Sequence, residues 1–314
     1  MTRTLKARAG GGVGKGAGHS ATYDVLARAA AELAEAGVEA ARHDAESLLA
    51  WSLGITRTGL MSIRELDCDT VQRFRVAIAR RATREPLQHI TGRAAFRYLD
   101  LEVGPGVFVP RPETELVAGQ AIAELRRIID GGVDSPVAVD LCTGSGPVAL
   151  AMATEAPGCR VTGIEISALA HAYAERNASG SGVEIRLGDI AEVSADLAGV
   201  ADVVTANPPY IPLAAFESVA AEARDFDPPV ALWSGVDGLD AIRVVAKVAA
   251  RLLRAGGLVL CEHADAQGET APDVFAASGD WTQIRDHLDL AGRPRFVTAR
   301  RVCRSSARAG TIGS

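Results

Sequence analysis

The sequence has little of what a cross-linked, metal-bound or membrane-embedded chain requires. Its five cysteines (Cys68, Cys142, Cys159, Cys261, Cys303) are odd in number, scattered and never spaced Cys-x-x-Cys. That argues against a disulfide framework and against a thiolate metal site, so no metal ligands are assigned and a reducing, cytoplasmic setting is expected. No apolar run approaches the length of a membrane span, and the first residues carry no apolar signal core. Excess positive charge is missing as well: Lys+Arg 33 against Asp+Glu 39 leaves −6, which disfavours a partner held chiefly through phosphates. The run Gly10-Gly11-Gly12-Val13-Gly14-Lys15-Gly16 is no phosphate loop, because Ala9 stands where the first Gly belongs and Gly16 where Ser or Thr follows the lysine. What is present is core material. Hydrophobic content of 48% with 23% charged residues describes a globular protein, and 314 residues allow two domains.

Residues 1–20 are read as a disordered tail. From 21 to 84 the pattern is helical and no strand signal interrupts it. Tyr23, Leu26, Ala30 and Leu33 recur at helical steps until Gly37, Ala41 to Leu53 repeats the pattern up to Gly54, and Thr58–Ile63 and Thr70–Ala82 follow. His43 and Asp44 read as surface helix residues. Residues 85–105 read as a β-hairpin linker, since Gly92 precedes the alternating run Phe96–Val103. In Pro110-Arg111-Pro112-Glu113-Thr114-Glu115 an extended segment ends and a helix opens, with Arg111 either serving a ligand or pairing with Glu113 or Glu115.

Residues 106–303 alternate strand and helix. Buried strands are expected at Val137–Leu141, Arg160–Glu165, Val183–Leu187, Ala201–Thr205 and Leu258–Glu262, with two late antiparallel strands around Trp281–His287 and Arg295–Val302. The fold class is therefore α/β, a Rossmann-like seven-stranded sheet with helices on both faces, preceded by the small all-helical domain and its hairpin. Residues 304–314 are read as a mobile tail.

The glycine loop Cys142-Thr143-Gly144-Ser145-Gly146, with Glu165 at the end of the next strand, follows the dinucleotide fingerprint in outline. It departs in two ways. Ala149 occupies the third glycine position, and Asp140 puts an anion where a pyrophosphate would lie. Such an anion suits the ammonium of a sulfonium amino acid. Glu165 can accept from two ribose hydroxyls, with Ile166 beside it, and Asp189 from an adenine amino group with Ile190 against the ring. Together these describe S-adenosylmethionine. Beside its methyl group lies Asn207-Pro208-Pro209-Tyr210, where two prolines stiffen a strand exit and hold Asn207 extended. The Asn207 side-chain oxygen and the Pro208 carbonyl offer two acceptors for a planar –NH2 group, with Tyr210 as a stacking surface and Pro209 and Arg111 close by. The plainer reading of that turn is a proline-rich strand exit with a capping Asn.

With these pieces in place the chain resembles the N5-glutamine methyltransferases of peptide-chain release factors. The resemblance spans about residue 22 to about residue 302. It rests on Glu85-Pro86-Leu87 through Thr91-Gly92, Pro110–Glu115, Asp140–Gly146, Asn207–Ile211 and Gly238-Leu239-Asp240. It implies a helical domain that recognises a release factor and methylation of the glutamine in that factor's Gly-Gly-Gln loop. A monomer without stable nucleic-acid binding is expected. The family loop usually has Gly at the position of Cys142 and Asp at that of Glu165, and Glu262-His263-Ala264 replaces a more apolar stretch. Two competing readings stay open here. One is a nucleic-acid amino methyltransferase using the basic stretch Arg73, Arg75, Arg80, Arg81, Arg84, Arg93 and Arg97. The other is a non-catalytic adaptor for a release factor or the ribosome.

Overall fold

The computed structural model describes residues 20–192 and 194–303, so the Gly10–Gly16 run and the tail after Cys303 lie outside the described residues. The chain divides into two compact units after Leu87.

In the first unit, α1 (Thr22–Glu35), α2 (Ala41–Leu53) and α3 (Cys68–Ala82) pack Leu33, Leu48, Leu49 and Phe74 out of water. Each such side chain contributes roughly 1.5–3 kcal/mol. Asp67 caps α3 by accepting from the Thr70 amide at 2.7 Å. The segment expected as a helix near Thr58 is a 3-10 turn, Arg57–Ser62. The unit is not purely helical, because Ser20–Ala21 pairs antiparallel with Glu65–Leu66. A two-residue pairing leaves no alternation to read. Asp44 is not on the surface either: it is buried and takes the Arg81 guanidinium at 2.8 Å, because a carboxylate on the inner face of α2 needs a cation there.

The short helix α4 (Leu87–Thr91) starts at that boundary, and the second unit continues with a hairpin, Arg93–Phe96 against Leu99–Glu102. The helix α5 (Thr114–Asp130) follows. Then come β1 (Val137–Leu141), α6 (Pro147–Glu155), β2 (Arg160–Glu165), α7 (Ala168–Ala178), β3 (Glu184–Leu187) and β4 (Ala201–Ala206). After a long irregular stretch containing α8 (Ala221–Phe226), the chain forms α9 (Asp240–Leu252), β5 (Leu253–Glu262), α10 (Thr270–Ala277), β6 (Trp281–Leu288) and β7 (Pro294–Arg301). The sheet order is β6-β7-β5-β4-β1-β2-β3. The strands β1 to β5 pair in parallel, whereas β7 lies antiparallel between β5 and β6. The expected turn at Gly256-Gly257 is instead a bulge inside β5, where the register against β4 shifts between Ala201 and Val203.

Alternation within the buried strands feeds two cores. Val139, Leu141, Val204 and Ala206 pack with α9 and α10, and Ala138, Val203 and Leu260 pack with α5 and α6. Helices therefore cover both faces. The strand order reverses between β1 and β4, so their carboxyl ends open a crevice, the position where open α/β sheets bind ligands.

Candidate active site

That crevice is a cavity of about 390 Å³. It is lined by Arg111, Asp140, Cys142, Thr143, Gly144, Ser145, Glu165, Ile166, Asp189, Ile190, Asn207, Pro209 and Tyr210 among the sequence-predicted residues. Two predicted residues are not on its wall. Gly146 instead starts α6 at φ +90°, packed close to Leu150 and Ala174. Pro208 is buried within the turn, so the wall passes from Asn207 directly to Pro209.

At the tip of β1, both Asp140 oxygens accept hydroxyl protons, from Thr143 at 2.6 Å and Thr205 at 2.7 Å. Burial pushes its pKa up to about 6, against the pull of those hydroxyls. Glu165 ends β2 with its two oxygens taking the amides of Ser167 and Gly144, each at 2.8 Å. Burial raises its pKa, and the two amides oppose the rise. Each oxygen keeps a second lone pair for a ligand hydroxyl. The Asp189 carboxylate accepts from the Ala191 amide at 2.8 Å. Ser145 Oγ is buried without a hydrogen-bond partner among the described residues, yet its residue lines the cavity. An orphaned polar atom beside an acidic, amide-rich loop is what a zwitterionic ligand would complete. Cys142 holds φ at +58°, a left-handed value that suits Gly better, and burial pushes its thiol well above the usual range.

Beside β1 in the sheet, Asn207 follows β4 and its Nδ2 donates to Thr114 Oγ1 at 3.2 Å. The Thr114 hydroxyl donates to Glu262 Oε2 at 2.7 Å, and the Tyr210 hydroxyl reaches Glu262 Oε1 at 3.3 Å. The Tyr210 carbonyl is held by Gln267 Nε2 at 3.1 Å, which also reaches the Asp237 carbonyl. Gly238, at φ +76°, passes so close that a Cβ would sit 2.4 Å from the Tyr210 carbonyl oxygen. Gly238→Ala is therefore expected to cost about 2–4 kcal/mol through overpacking and left-handed strain, read as a lower melting temperature. An unchanged melt would show that the turn yields freely.

Arg111 pairs with neither Glu113 nor Glu115. Its guanidinium reaches Asp227 at 2.6 Å and lies over the Phe108 ring, 4.9 Å from the centroid. Desolvation moves Asp227 up to about 6 despite that cation. His263 is no free proton acceptor. Its ring nitrogens lie 2.9 Å from the Ala264 carbonyl and 2.9 Å from Asp286. Sequence reasoning missed Phe108, Thr114 and the apolar wall Ala223, Pro228, Val230, Ala231 and Leu232. Phe108 and Thr114 flank the Pro-Arg-Pro motif and were within reach; the Ala223–Leu232 stretch has no periodic signal.

A doubly wound sheet whose switch-point cavity joins a glycine loop, two strand-end carboxylates and an Asn-Pro-Pro-Tyr turn defines a methyltransferase. The family described as PrmC N-terminal domain matches residues 24–92, and that described as methyltransferase domain matches 138–229. The release factor glutamine methyltransferase of Streptomyces coelicolor is 52% identical over 88% of this chain and 96% of its own. That of Mycolicibacterium smegmatis is 45% identical over 88% and 96%. A 4-amino-L-phenylalanine/4-methylamino-L-phenylalanine methyltransferase of Streptomyces pristinaespiralis is 41% identical over 82% and 88%. The chain belongs to the release factor glutamine methyltransferase family.

Proposed function

We propose that this chain methylates N5 of the glutamine in the Gly-Gly-Gln loop of a peptide-chain release factor, using S-adenosylmethionine. The observation that carries the reading is Asn207 on the cavity wall with its Nδ2 tied back to Thr114. That leaves Oδ1 on the other side of the amide, an acceptor for one hydrogen of the substrate –NH2. When bound, the cofactor supplies an electrophilic sulfonium methyl. Asp140 and Ser145 would hold its amino-acid end, Glu165 its ribose, and Asp189 with Ile190 its adenine.

An amide nitrogen is a weak nucleophile because its lone pair is shared with the carbonyl. Fixing the –NH2 hydrogens aims that lone pair, and the hydrogens grow more acidic as nitrogen attacks, so Asn207 Oδ1 binds the transition state better than the ground state. With Pro208 buried, Asn207 carries the greater part of this grip and the Pro208 carbonyl is at most the second acceptor. Tyr210 is a wall for the flat amide, its hydroxyl directed at Glu262.

The organisation we propose is a recognition domain at 21–84, a hairpin linker at 85–105 and a catalytic domain at 106–303. We expect a monomer in a reducing, cytoplasmic compartment; among the described residues no helix is long and apolar enough to cross a membrane. Nucleic acid is a poor partner because four of the seven arginines in the basic stretch already face carboxylates. Arg80 pairs with Glu85, Arg81 with Asp44, Arg93 with Asp100 and Arg97 with Glu155. The test is mass spectrometry of release-factor peptides after incubation with cofactor, with duplex DNA, ribosomal RNA and 4-amino-L-phenylalanine as control substrates. Methyl incorporation into a control but not the glutamine loop would overturn the reading.

Cofactor affinity should depend on pH through Asp140. A cationic ammonium prefers the ionised carboxylate, and that form predominates only above a pKa of about 6. Affinity is therefore expected to rise by about tenfold from pH 5 to pH 7 and then level off, checked by titration calorimetry. Asp140→Asn should flatten the profile at the weaker level.

A further inference from the structure

Asn207, Thr114 and Glu262 come from three distant stretches and meet in one chain of hydrogen bonds. We infer that Glu262 is a positioning residue for methyl transfer, fixing through the Thr114 hydroxyl which side of the Asn207 amide the substrate meets. This rests on the assignment of Asn207 as the substrate acceptor.

Proton count fixes the orientation. Glu262 is 1% exposed, and when ionised it can only accept. The Thr114 hydroxyl has a single proton, and Glu262 Oε2 at 2.7 Å takes it. Thr114 Oγ1 is then an acceptor toward its other neighbour, so the Asn207 atom 3.2 Å away must be the –NH2 nitrogen. The amide oxygen is thereby set on the opposite side. Were the carboxylate absent, the Thr114 hydroxyl would rotate freely and serve either end of the amide. A reversed amide offers donors to a substrate –NH2 that needs an acceptor, so the grip would be lost.

The same chain makes the orientation depend on protons. Glu262 is pushed up to about 7, chiefly by burial and slightly by Glu113 at the head of α5. Thr114, Arg295 on β7 and the Tyr210 hydroxyl pull the other way. The adjacent His263 faces Asp286 on β6 and the Ala264 carbonyl. Once protonated, Glu262 can itself donate to Thr114. The Thr114 proton is then free to turn toward Asn207, which admits the reversed amide. Being an acid with a raised pKa, Glu262 is ionised only above that value, so the productive orientation is secured above about pH 7 and loosened below it.

The test has a spectroscopic and a kinetic arm. The Asn207 side-chain amide resonance, identified by its loss in Asn207→Ala, is expected to titrate with a midpoint near 7 in the protein without ligands. The titration should vanish in Glu262→Gln. In the kinetic arm, Thr114→Val should lower kcat by about ten- to a hundredfold with cofactor Kd little changed, and Thr114→Ser should restore it. In the Asn207→Ala background Thr114→Val should cost nothing further, because Thr114 acts only through Asn207. An equal cost in both backgrounds, unaltered kcat in Thr114→Val, or an Asn207 resonance indifferent to pH would overturn the inference while sparing the function proposed above. Near-normal turnover in Asn207→Ala would overturn both. The wild-type titration and the Thr114 variants keep the test decisive if Glu262→Gln does not fold.

Discussion

Asn207→Ala is expected to lower methyl transfer by roughly a hundred- to a thousandfold while cofactor affinity changes little. As one preorganised acceptor in a water-poor site, Asn207 compares with an oxyanion-hole donor at ~3–4 kcal/mol. Its preorganisation is visible in the structure. The turn is stiffened by Pro208 and Pro209, tied by Gln267 to the Tyr210 carbonyl, and bridged onward where the Ile211 amide donates to Leu232 and Ser234 donates back, each at 2.9 Å. Removing the side chain leaves that scaffold intact, so folding should be nearly unaffected. The cofactor contacts proposed for Asp140, Glu165 and Asp189 come from other strands, so binding should survive. Single-turnover rates and equilibrium titration separate the two effects. A variant with near-normal turnover would show that the amide is held by other groups; one that loses cofactor affinity in proportion would move Asn207 to the cofactor side.

Most of the fold was legible because its signals are local. The strands β1, β2 and β4 are short apolar runs bounded by glycine, proline or acid, and each ends within a residue of its expected position. The cofactor-side candidates were legible for the same reason, since Asp140 to Gly146 and Glu165-Ile166 sit at the strand ends that carry them. What stayed hidden depends on contacts between distant residues. Thr114 and Glu262 are 148 residues apart, and nothing in either stretch announces the 2.7 Å bond between them. Glu262 read as a departure from an apolar pattern, and its burial against two hydroxyls is a tertiary fact. The partner of Arg111 was misplaced for a related reason. Glu113 and Glu115 are near in sequence, whereas Asp227 comes from beyond α8, a region of 3-10 turns and short helix whose apolar residues follow no period. The bulge in β5 was missed because Gly256-Gly257 is the residue pair a turn would use, and only the neighbouring strand shows that pairing continues across it.

A chain shortened to begin at Gln88 is expected to bind S-adenosylmethionine about as well as the full chain but to methylate an intact release factor at least about thirtyfold less efficiently. That factor corresponds to losing ~2 kcal/mol, the lower bound for one hot-spot contact. The second unit carries its own sheet, both of its cores and every residue lining the cavity, so it has what it needs to fold and to hold the cofactor. What the proposed grip on the amide does not supply is a means of choosing. On the function proposed above, Asn207 holds one primary amide, a group shared by every glutamine and asparagine, so selectivity has to come from contacts remote from the reacting nitrogen. The first unit offers such contacts. It exposes Tyr23 at 73%, Met61 at 91% and Val76 at 53%, large apolar side chains that its own small core leaves in water. On a short Gly-Gly-Gln peptide, which offers no further surface to be recognised, full-length and shortened chains should perform alike. The measurement is kcat/KM for both substrates with both chains. A large loss on the release factor with little loss on the peptide locates recognition in the helical unit. Equal losses on both would make that unit a support for the catalytic fold, and no loss on either would place recognition within the second unit, around the Ala223–Leu232 wall of the cavity.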